Sequence, residues 1–328
     1  MFCGKQDAVE QTFEGGAQMK KVAVVGSFVV DLMARTPHLP EPGETVMGSF
    51  FKAGPGGKGA NQAAAAKKAG SDLIFSTKIG RDSFAEIAKD SFESNGISLE
   101  YVFENSQAPT GAALISVEET TSQNEIVVVL GACNTFNDED IKKLEGALEG
   151  CEYLLLQMEI NPDATEKLIR LANVMGIKVI LNTAPVQELA KELYPMLDLV
   201  TPNEVEARIL TGIPCDDLEG CRKAAQAFFD KGVEHVIITI GKRGVYYNDG
   251  MREELISNYD VPVVDTTGAG DAFNGGLLAG LSQGMDLLSA ARYGNVVSNL
   301  AVTKLGTAPA MPSREEIQEF IKTHKIEL

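Results

Sequence analysis

The chain has 328 residues, of which 44% are hydrophobic, and its 29 Lys and Arg against 46 Asp and Glu give a formal net charge of −17 at pH 7. This length and hydrophobic fraction suit a globular protein with a large buried core. The acidic balance excludes nucleic acid as the main partner, because a phosphate backbone is bound by clustered Lys and Arg.

The numbers and positions of the cysteines and histidines argue against several kinds of site. The 5 cysteines form no Cys-x-x-Cys pair, which favours a reducing cytoplasm over a disulfide framework or a zinc cage. The 3 histidines lie outside the Gly-rich and acidic clusters, which argues against a Ser-His-Asp triad and against a histidine metal site. No apolar run approaches the ~20 residues of a membrane helix, so no membrane partner is expected.

The first part of the chain predicts a strand, two helices and two irregular β segments. Residues 1–18 lack the apolar segment of a signal peptide, and we expect a disordered extension before a second possible start at Met19. The run KVAVVG then predicts a buried strand. The next predicted elements are β-like runs within 28–53, a helix ANQAAAAKKAG ending at Gly70, a strand LIFSTKIG, a helix from Asp82 to Gly96, and a hairpin of GAALISV and NEIVVVLG.

From residue 138 onward helices and strands alternate. The predicted helices cover 138–149, 163–175, 187–194, 203–211, 219–231, 271–283 and 287–304, and the predicted strands are YLLLQM, KVILN, LDLVTPN, HVIITIG and VPVV. This alternation predicts an α/β fold of three layers, α/β/α, with a mostly parallel central sheet. We expect residues 19–328 to form one domain, with a small β-sheet lid drawn from about 28–53 and 108–131.

Polar residues and a glycine recur where predicted strands end. They are Asp31, Glu159, Asn182, Asn203, Gly241 and Asp271. In an open parallel sheet, ligands bind at the carboxyl ends of the strands. The sequence therefore predicts a ligand site at this edge of the sheet.

The stretch GPGGKGAN (54–61) is a glycine-rich loop before a helix. It is not a P-loop, because Gly59 and not Ser or Thr follows Lys58. A dinucleotide fingerprint also fails, since Phe273 stands where a glycine is needed. The glycines would let a ligand approach the backbone closely, although a plain turn and helix start explains them equally well.

The stretch DTTGAGDAFNGG (265–276) carries the clearest chemistry. Gly268, Ala269 and Gly270 present N–H groups at a predicted helix start, which is a binding site for anions. Asp271 follows in the first turn, either as an ordinary first-turn acid or as a fixed base. The glycines on both sides of Ala269 favour the second interpretation. An anion hole beside a fixed carboxylate is suited to phosphoryl transfer.

Two weaker motifs would complete a nucleotide site. Asn203 and Glu206 share one helix face and could orient a water-bound Mg²⁺. An N-cap with first-turn acids explains the same residues, and on its own it is the better explanation. The turn TIGKRG (239–244) could line a nucleotide through its backbone.

Together these motifs resemble the pfkB family of carbohydrate kinases. GGKGANQA (56–63) and DTTGAGD (265–271) match its two signatures, and PGET, LNTAP, TPNEVEA and ITIGKRGV follow in the family's order. The resemblance implies an enzyme that phosphorylates the primary hydroxyl of a sugar with ATP, requires Mg²⁺ and is activated by K⁺. It is strongest to members that act on the 5-hydroxyl of D-ribose, in which the lid covers the sugar and pairs two subunits into a homodimer.

The resemblance also assigns roles by position. Asp271 would be the catalytic base, beside an anion hole of Gly268, Ala269 and Gly270. The sugar would contact Asp31, Gly57, Lys58, Asn61, Glu159 and Asp271. ATP would contact Asn203, Thr239, Gly241, Gly244, Gly270 and Asn295. Glu206 would order the water shell of Mg²⁺, and K⁺ would be surrounded, mostly through backbone carbonyls, by Asp265, Thr267, Ala301, Lys304, Gly306 and Ala310.

One departure from the family pattern keeps the substrate open. Val29 stands where many bacterial members that act on ribose carry Asn, and an apolar residue there is also compatible with 2-deoxy-D-ribose. Another sugar or nucleoside is a further alternative within the fold. A non-catalytic sugar-binding protein and an NAD-dependent dehydrogenase are the alternatives from other classes. The intact Asp271 argues against the first, and the missing dinucleotide turn against the second.

Overall fold

The computed structural model describes residues 19–121 and 123–328, so the extension expected at 1–18 lies outside it. The strands are β1 Lys21–Val25, β2 Val29–Thr36, β3 Phe50–Gly56, β4 Asp72–Ile79, β5 Val102–Glu104, β6 Thr110–Glu118, β7 Asn124–Gly131, β8 Cys151–Gln157, β9 Lys178–Asn182, β10 Leu199–Val200, β11 His235–Thr239, β12 Val245–Asn248 and β13 Glu253–Ile256. The α-helices are α1 Lys58–Lys68, α2 Ser83–Ser94, α3 Asp138–Leu148, α4 Pro162–Met175, α5 Glu204–Thr211, α6 Leu218–Phe229, α7 Ala269–Ser282, α8 Leu287–Ala301 and α9 Arg314–His324.

The large sheet has the strand order β13-β12-β11-β10-β9-β8-β1-β4-β5. Its pairs are parallel except where β12 and β13 join antiparallel at one edge. Alternate residues of β1 point to opposite cores: Ala23 and Val25 pack in the core beneath α3, α4, α5 and α6, whereas Val22 and Val24 pack in the core with α1, α2, α7 and α8. The predicted three-layer fold with a mostly parallel sheet is confirmed. None of the helices within the described residues is long and apolar enough to cross a membrane.

A second sheet has the strand order β3-β2-β6-β7. Its pairs are antiparallel except for β2 and β6. The side chains of a strand alternate between faces, so Asp31 lies on the face opposite to Leu32, whose neighbours across the sheet are Ala53 and Leu114. The small sheet therefore has one face that carries Asp31 and another that carries aliphatic residues.

Two expectations from the sequence were wrong, and one helix was missed. The predicted helix at 187–194 is a 3₁₀ helix at Lys191–Met196, because Pro195 cannot continue an α-helix. The predicted strand VPVV is irregular and exposed, with Val263 and Val264 64% and 60% exposed, since Pro262 lacks the N–H that a sheet requires. The helix α9 was not predicted, although Ser313 and Glu316 form a capping box at its start.

Helix α7 packs unusually close to its neighbours. A Cβ at Gly275 would lie 2.4 Å from the Cβ of Ala65 in α1, and one at Gly276 would lie 2.7 Å from the side chain of Val297 in α8. The glycine pair after Asp271 therefore fixes the depth of α7 against both helices, as its sequence suggested. This packing places the starts of α1 and α7 side by side.

Candidate active site

The glycine-rich loop between β3 and α1 forms the floor of the site. Gly57 has a φ of 89°, and a Cβ there would lie within about 3 Å of the backbone of residues 27–29. A Cβ at Gly56 would lie 2.2 Å from the Asp31 carboxylate. Both positions therefore require glycine, and the Asp31 carboxylate lies directly over the loop.

Glu159, just past the end of β8, holds the start of α1. Its Oε2 accepts hydrogen bonds from Ser27 Oγ at 2.5 Å and from the backbone N–H of Lys58 at 2.9 Å. The carboxylate thus satisfies one of the free N–H groups of α1, and its charge acts on Asp31 of the small sheet.

The charges of the site are strongly coupled. Burial, with the negative charges of Glu159 and Asp271, raises the pKa of Asp31 to about 6. Burial also raises the pKa of Glu159, although Lys58 and Ser27 oppose the shift. Burial alone would lower the pKa of Lys58, but the charges of Asp271, Glu159 and Glu206 raise it above its ordinary value. Lys58 is therefore a cation held among carboxylates.

The predicted base, Asp271, lies in the first turn of α7 and is 7% exposed. Its Oδ2 accepts a hydrogen bond from Asn61 Nδ2 and its Oδ1 one from Gln62 Nε2, both at 3.0 Å. Both donors belong to α1, so the glycine-rich loop and the base are joined directly. These two amide donors, one to each carboxylate oxygen, hold the carboxylate in one orientation.

The turn before Asp271 has the geometry of an anion site. Gly268 is the N-cap of α7 in a left-handed conformation with a φ of 76°. The N–H of Ala269 donates to Thr266 O at 3.2 Å, whereas those of Gly268 and Gly270 meet no acceptor in the part of the chain that the structure describes. A Cβ at Gly270 would meet open space. Two of the three predicted N–H groups are therefore available to a ligand.

Asn203 and Glu206 form the cap that was the alternative interpretation. Asn203 Oδ1 accepts the N–H groups of Val205 and Glu206, and Glu206 Oε2 accepts the N–H of Asn203 at 3.0 Å. Thr183 Oγ1 also donates to this oxygen at 3.1 Å. Burial raises the pKa of Glu206. A carboxylate oxygen has further lone-pair positions, so a water-mediated contact is still sterically and chemically compatible with the cap.

The remaining residues predicted to bind nucleotide lie at the next strand ends. Asn203 pairs with Thr239 at the end of β11. Gly241 and Gly244 have φ values of 55° and 103° and shape the turn between β11 and β12. Asn295 differs from the prediction in its surroundings: it is buried in α8, donates to Ser257 O at 2.9 Å, and accepts from Asn299 at 3.1 Å. Its side chain is thus engaged within the protein.

Asp265 ties together the two loops of the predicted K⁺ site. Its Oδ1 accepts the N–H of Thr267 at 2.9 Å and its Oδ2 that of Gly306 at 3.0 Å. Lys304 Nζ pairs with Glu316 at 2.6 Å, which leaves only its carbonyl for a cation. Ala301 is the last residue of α8, and Ala310 ends a 3₁₀ helix that follows Gly306. Within 19–121 and 123–328, no group of three or more His, Cys, Asp or Glu side chains is placed to hold a metal ion.

Three residues of the site were not predicted from the sequence. Gln62 contacts the base, Ser27 contacts Glu159, and Thr183 contacts Glu206. Gln62 could have been found, because it lies next to Asn61 in the same motif. Ser27 and Thr183 act on residues more than 20 positions away, and no local pattern indicates such contacts.

Comparison with known proteins places this geometry in a family. The model of the pfkB family carbohydrate kinases matches residues 19–314. The chain is 37% identical over 303 residues to the ribokinase of Haemophilus influenzae, covering 92% of this chain and 99% of that protein. It is 36% identical over 305 residues to the deoxyribokinase of Salmonella typhi, covering 93% and 99%. The ribokinase of Arabidopsis thaliana, solved in complex with ribose and ATP, superposes with a TM-score of 0.85 at 28% identity, covering 92% and 99%.

The raised pKa of Asp31 leads to a prediction about stability. The folded protein binds the Asp31 proton more tightly than the unfolded chain does, so the resulting stabilisation is complete below about pH 4 and is lost as the pH rises through about 6. We therefore expect Asp31→Asn to increase the free energy of unfolding at pH 7.5 by roughly 1–3 kcal/mol, and to give a much smaller gain at pH 4.5. Urea unfolding at both pH values measures this.

The control for this experiment is Asp90→Asn, at an exposed position of α2. It should leave stability unchanged at both pH values. An Asp31→Asn protein that is less stable than the parent at pH 7.5, or equally stabilised at both pH values, would contradict the electrostatic origin of the effect.

Proposed function

The chain belongs to the pfkB family of carbohydrate kinases and is a sugar kinase, and we propose that it transfers the terminal phosphoryl group of ATP to the 5-hydroxyl of D-ribose. The observation that carries the proposal is the Asp271 carboxylate, oriented by Asn61 and Gln62 beside the free N–H groups of Gly268 and Gly270. Phosphoryl transfer needs a base for the attacking hydroxyl group and donors for the transferring phosphoryl group. Here the proposed base directly follows the proposed donors in the chain.

The sugar would bind between the small sheet and the start of α1. The Asp31 carboxylate accepts hydrogen bonds from two adjacent hydroxyl groups, a role for which an ionised carboxylate is well suited. Gly57, Lys58, Asn61 and Glu159 surround the remaining hydroxyl groups. The Oδ1 atom of Asn61 is buried and meets no hydrogen-bond partner among residues 19–121 and 123–328, so it is an acceptor available to a sugar hydroxyl.

The transfer step follows from the position of Asp271. The 5-hydroxyl oxygen forms a bond to the γ-phosphorus, its proton passes to the Asp271 carboxylate, and the bond from the γ-phosphorus to the β,γ-bridging oxygen breaks. ADP leaves with that oxygen. The N–H groups of Gly268 and Gly270 and the dipole of α7 stabilise the negative charge of the transferring group.

ATP would lie along the ends of β10 and β11. Its phosphates point to Gly270, and Asn203, Thr239, Gly241 and Gly244 line the nucleotide. The Asn295 amide is already hydrogen-bonded to Ser257 and Asn299. The nucleotide would therefore contact the surface of α8 around Asn295 and not the amide itself.

Two cations complete the proposal. Glu206 would hold Mg²⁺ through water, and when bound this ion neutralises phosphate charge. Asp265, Thr267, Ala301, Lys304, Gly306 and Ala310 would hold K⁺. The residues fit such an ion, because they offer one carboxylate and backbone oxygens in two loops that Asp265 already joins. The first loop continues directly into Gly268.

2-Deoxy-D-ribose is the second candidate substrate. Val29 is buried and lies on the same face of β2 as Asp31, so this wall of the sugar site is apolar. An apolar wall offers no hydrogen bond to a hydroxyl group and tolerates its absence. The deoxyribokinase of Salmonella typhi is nearly as similar to this chain as the ribokinase of Haemophilus influenzae.

The small sheet would pair two copies of the chain. Phe51, Leu114, Val127 and Val129 share the face opposite to Asp31, and each is more than half exposed. Such a contiguous apolar face is typical of a protein interface. We propose a homodimer that buries it, with a soluble sugar and ATP as the small-molecule partners and the cytoplasm as the location.

The proposed function predicts a substrate order. With Mg²⁺, K⁺ and ATP present, ADP release should be fastest with D-ribose, slower with 2-deoxy-D-ribose, and much slower with fructose or adenosine. Faster release with 2-deoxy-D-ribose would establish the alternative substrate, and Val29→Asn should then shift the preference toward ribose. The absence of ADP release with all four compounds would overturn the substrate proposal.

Within that assay, Asp271→Asn should lower kcat by a factor of about 10²–10⁴, the range for removing a general base. Asp90→Asn is the control for the amide substitution and should keep full activity. Turnover of Asp271→Asn within a factor of about two of the parent would exclude Asp271 as the base.

The cation site predicts a dependence on K⁺. Replacing K⁺ by tetramethylammonium should lower kcat by about tenfold, the equivalent of ~1.4 kcal/mol. The reason is that the loop that leads into the anion site loses the ion that holds its carbonyl groups in place. Asp265→Asn should have low activity that K⁺ does not restore. Asp260→Asn, exposed in the preceding segment, should respond to K⁺ like the parent. Equal activity with both cations would contradict the site.

The dimer predicts a mass change for a charged variant of the small sheet. Leu114→Lys should give a monomer by light scattering, because a lysine in an apolar interface is left without a partner. Val174→Lys, on an exposed position of α4, is the matched control and should stay dimeric. A parent protein that is monomeric at micromolar concentration would refute the interface.

A further inference from the structure

We propose that Gln62 is the positioning residue of the base: it orients the Asp271 carboxylate and joins it to the anion-site turn through a closed ring of buried hydrogen bonds. The inference rests on the proposed function in one respect, namely that Asp271 is the catalytic base. The ring itself is a property of the fold. Gln62 is fully buried, in the first half of α1.

The ring begins and ends at the start of α7. Gln62 Nε2 donates to Asp271 Oδ1 at 3.0 Å and to Asn182 Oδ1 at 3.1 Å. Asn182 Nδ2 donates to Thr201 O at 2.9 Å, and Thr201 Oγ1 donates to Asn274 Oδ1 at 2.6 Å. Asn274 Nδ2 then donates to Gly270 O at 2.8 Å. The peptide bond from Gly270 to Asp271 closes the circuit.

Two backbone carbonyls set the direction of the bonds in the ring: Gly270 O orients the amide of Asn274, and Thr201 O orients those of Asn182 and Gln62. The backbone carbonyl of Thr201 can only accept, so Asn182 must present its NH₂ group to it and its oxygen to Gln62. Gln62 must therefore present its NH₂ group to Asn182, and the second N–H of that group points to Asp271. An inverted amide at Gln62 would place its oxygen against the carboxylate.

A second contact secures the orientation of Gln62. Its Oε1 accepts a hydrogen bond from Gln157 Nε2 at 2.7 Å, at the end of β8. The Gln62 side chain therefore donates two hydrogen bonds through its NH₂ group and accepts one through its oxygen. Gln157 is equally buried but does not contact Asp271, so it tests the network without touching the base.

The charges around Asp271 explain why a donor matters there. Lys58 faces Asp271 from α1, but Asp31 of the small sheet, Glu159 past β8 and Glu206 of α5 interact with it as negative charges. Each of these carboxylates repels the Asp271 carboxylate, so without fixed donors the side chain would tend to turn away from them. The N–H groups of Asn61 and Gln62 oppose this repulsion and hold the carboxylate in place.

The test compares Gln62→Met with Gln157→Met in the full chain. The first removes the donor to Asp271, and the second removes a buried amide of the same size without that contact. The Asp271 carboxyl carbon is followed by ¹³C NMR titration of aspartate-labelled protein and assigned by its loss in Asp271→Asn. Gln62→Met should raise the titration midpoint by about one pH unit, and Gln157→Met by much less.

Kinetics give an independent readout. In Gln62→Met the acid limb of the kcat profile should move to higher pH by a similar amount and kcat should fall about tenfold, with the KM for the sugar little changed. Thermal melting checks that both variants are folded. If Gln62→Met is not, Gln62→Glu keeps the volume, removes the donors and should raise the midpoint further.

Two results would overturn the inference. One is a Gln62 variant that is folded and has the parent's midpoint and acid limb. The other is an equal shift in Gln157→Met, which would mean that any damage to the core loosens the site. If the parent phosphorylates no sugar, the proposed function fails, while the titration still decides whether Gln62 controls Asp271.

Discussion

The close packing of α1 against α7 is the constraint on which the site depends. There is no room for a Cβ at Gly275, because it would lie 2.4 Å from Ala65 Cβ and 2.5 Å from Gln62 O. The glycine-rich loop leads into α1 and the anion-site turn leads into α7, so their contact brings two distant motifs to one point. Asn61 and Gln62 reach Asp271 only at this separation. The two motifs therefore form a single structural unit.

Charge in the site works against the stability of the free protein. Burial raises the pKa values of Asp31, Glu159 and Glu206, so at neutral pH their ionised forms are destabilising. Lys58 is the cation among them. A sugar that donates hydroxyl groups to these carboxylates would relieve the repulsion. In the proposed function, backbone N–H groups would let a chain with a net charge of −17 bind an anion locally.

Much of the fold and part of the site could be predicted from the sequence. Periodicity and glycine positions identified α1 and α7 and placed Glu159, Asn182 and Asn203 at the ends of β8, β9 and β10, because those signals are local. Prolines caused the errors at 187–194 and VPVV: the apolar pattern was read without the N–H that Pro195 and Pro262 lack. The ring around Gln62 could not be predicted, since its members come from four separate elements.

The proposed sugar site is divided between the small sheet and the main body, which would have a mechanical consequence. Asp31 belongs to the small sheet, whereas Glu159 and Asp271 belong to the main body. One link between them is at β3, where Pro55 O accepts a hydrogen bond from Thr307 Oγ1 at 3.2 Å. A sugar held by Asp31 and Asp271 together would tie the small sheet to the main body, so that the energy of binding the diol would hold the reacting hydroxyl at the base. A substrate without that diol would not connect the small sheet to the main body. Its kcat would then be lower, and its KM higher, than those of a sugar with the diol.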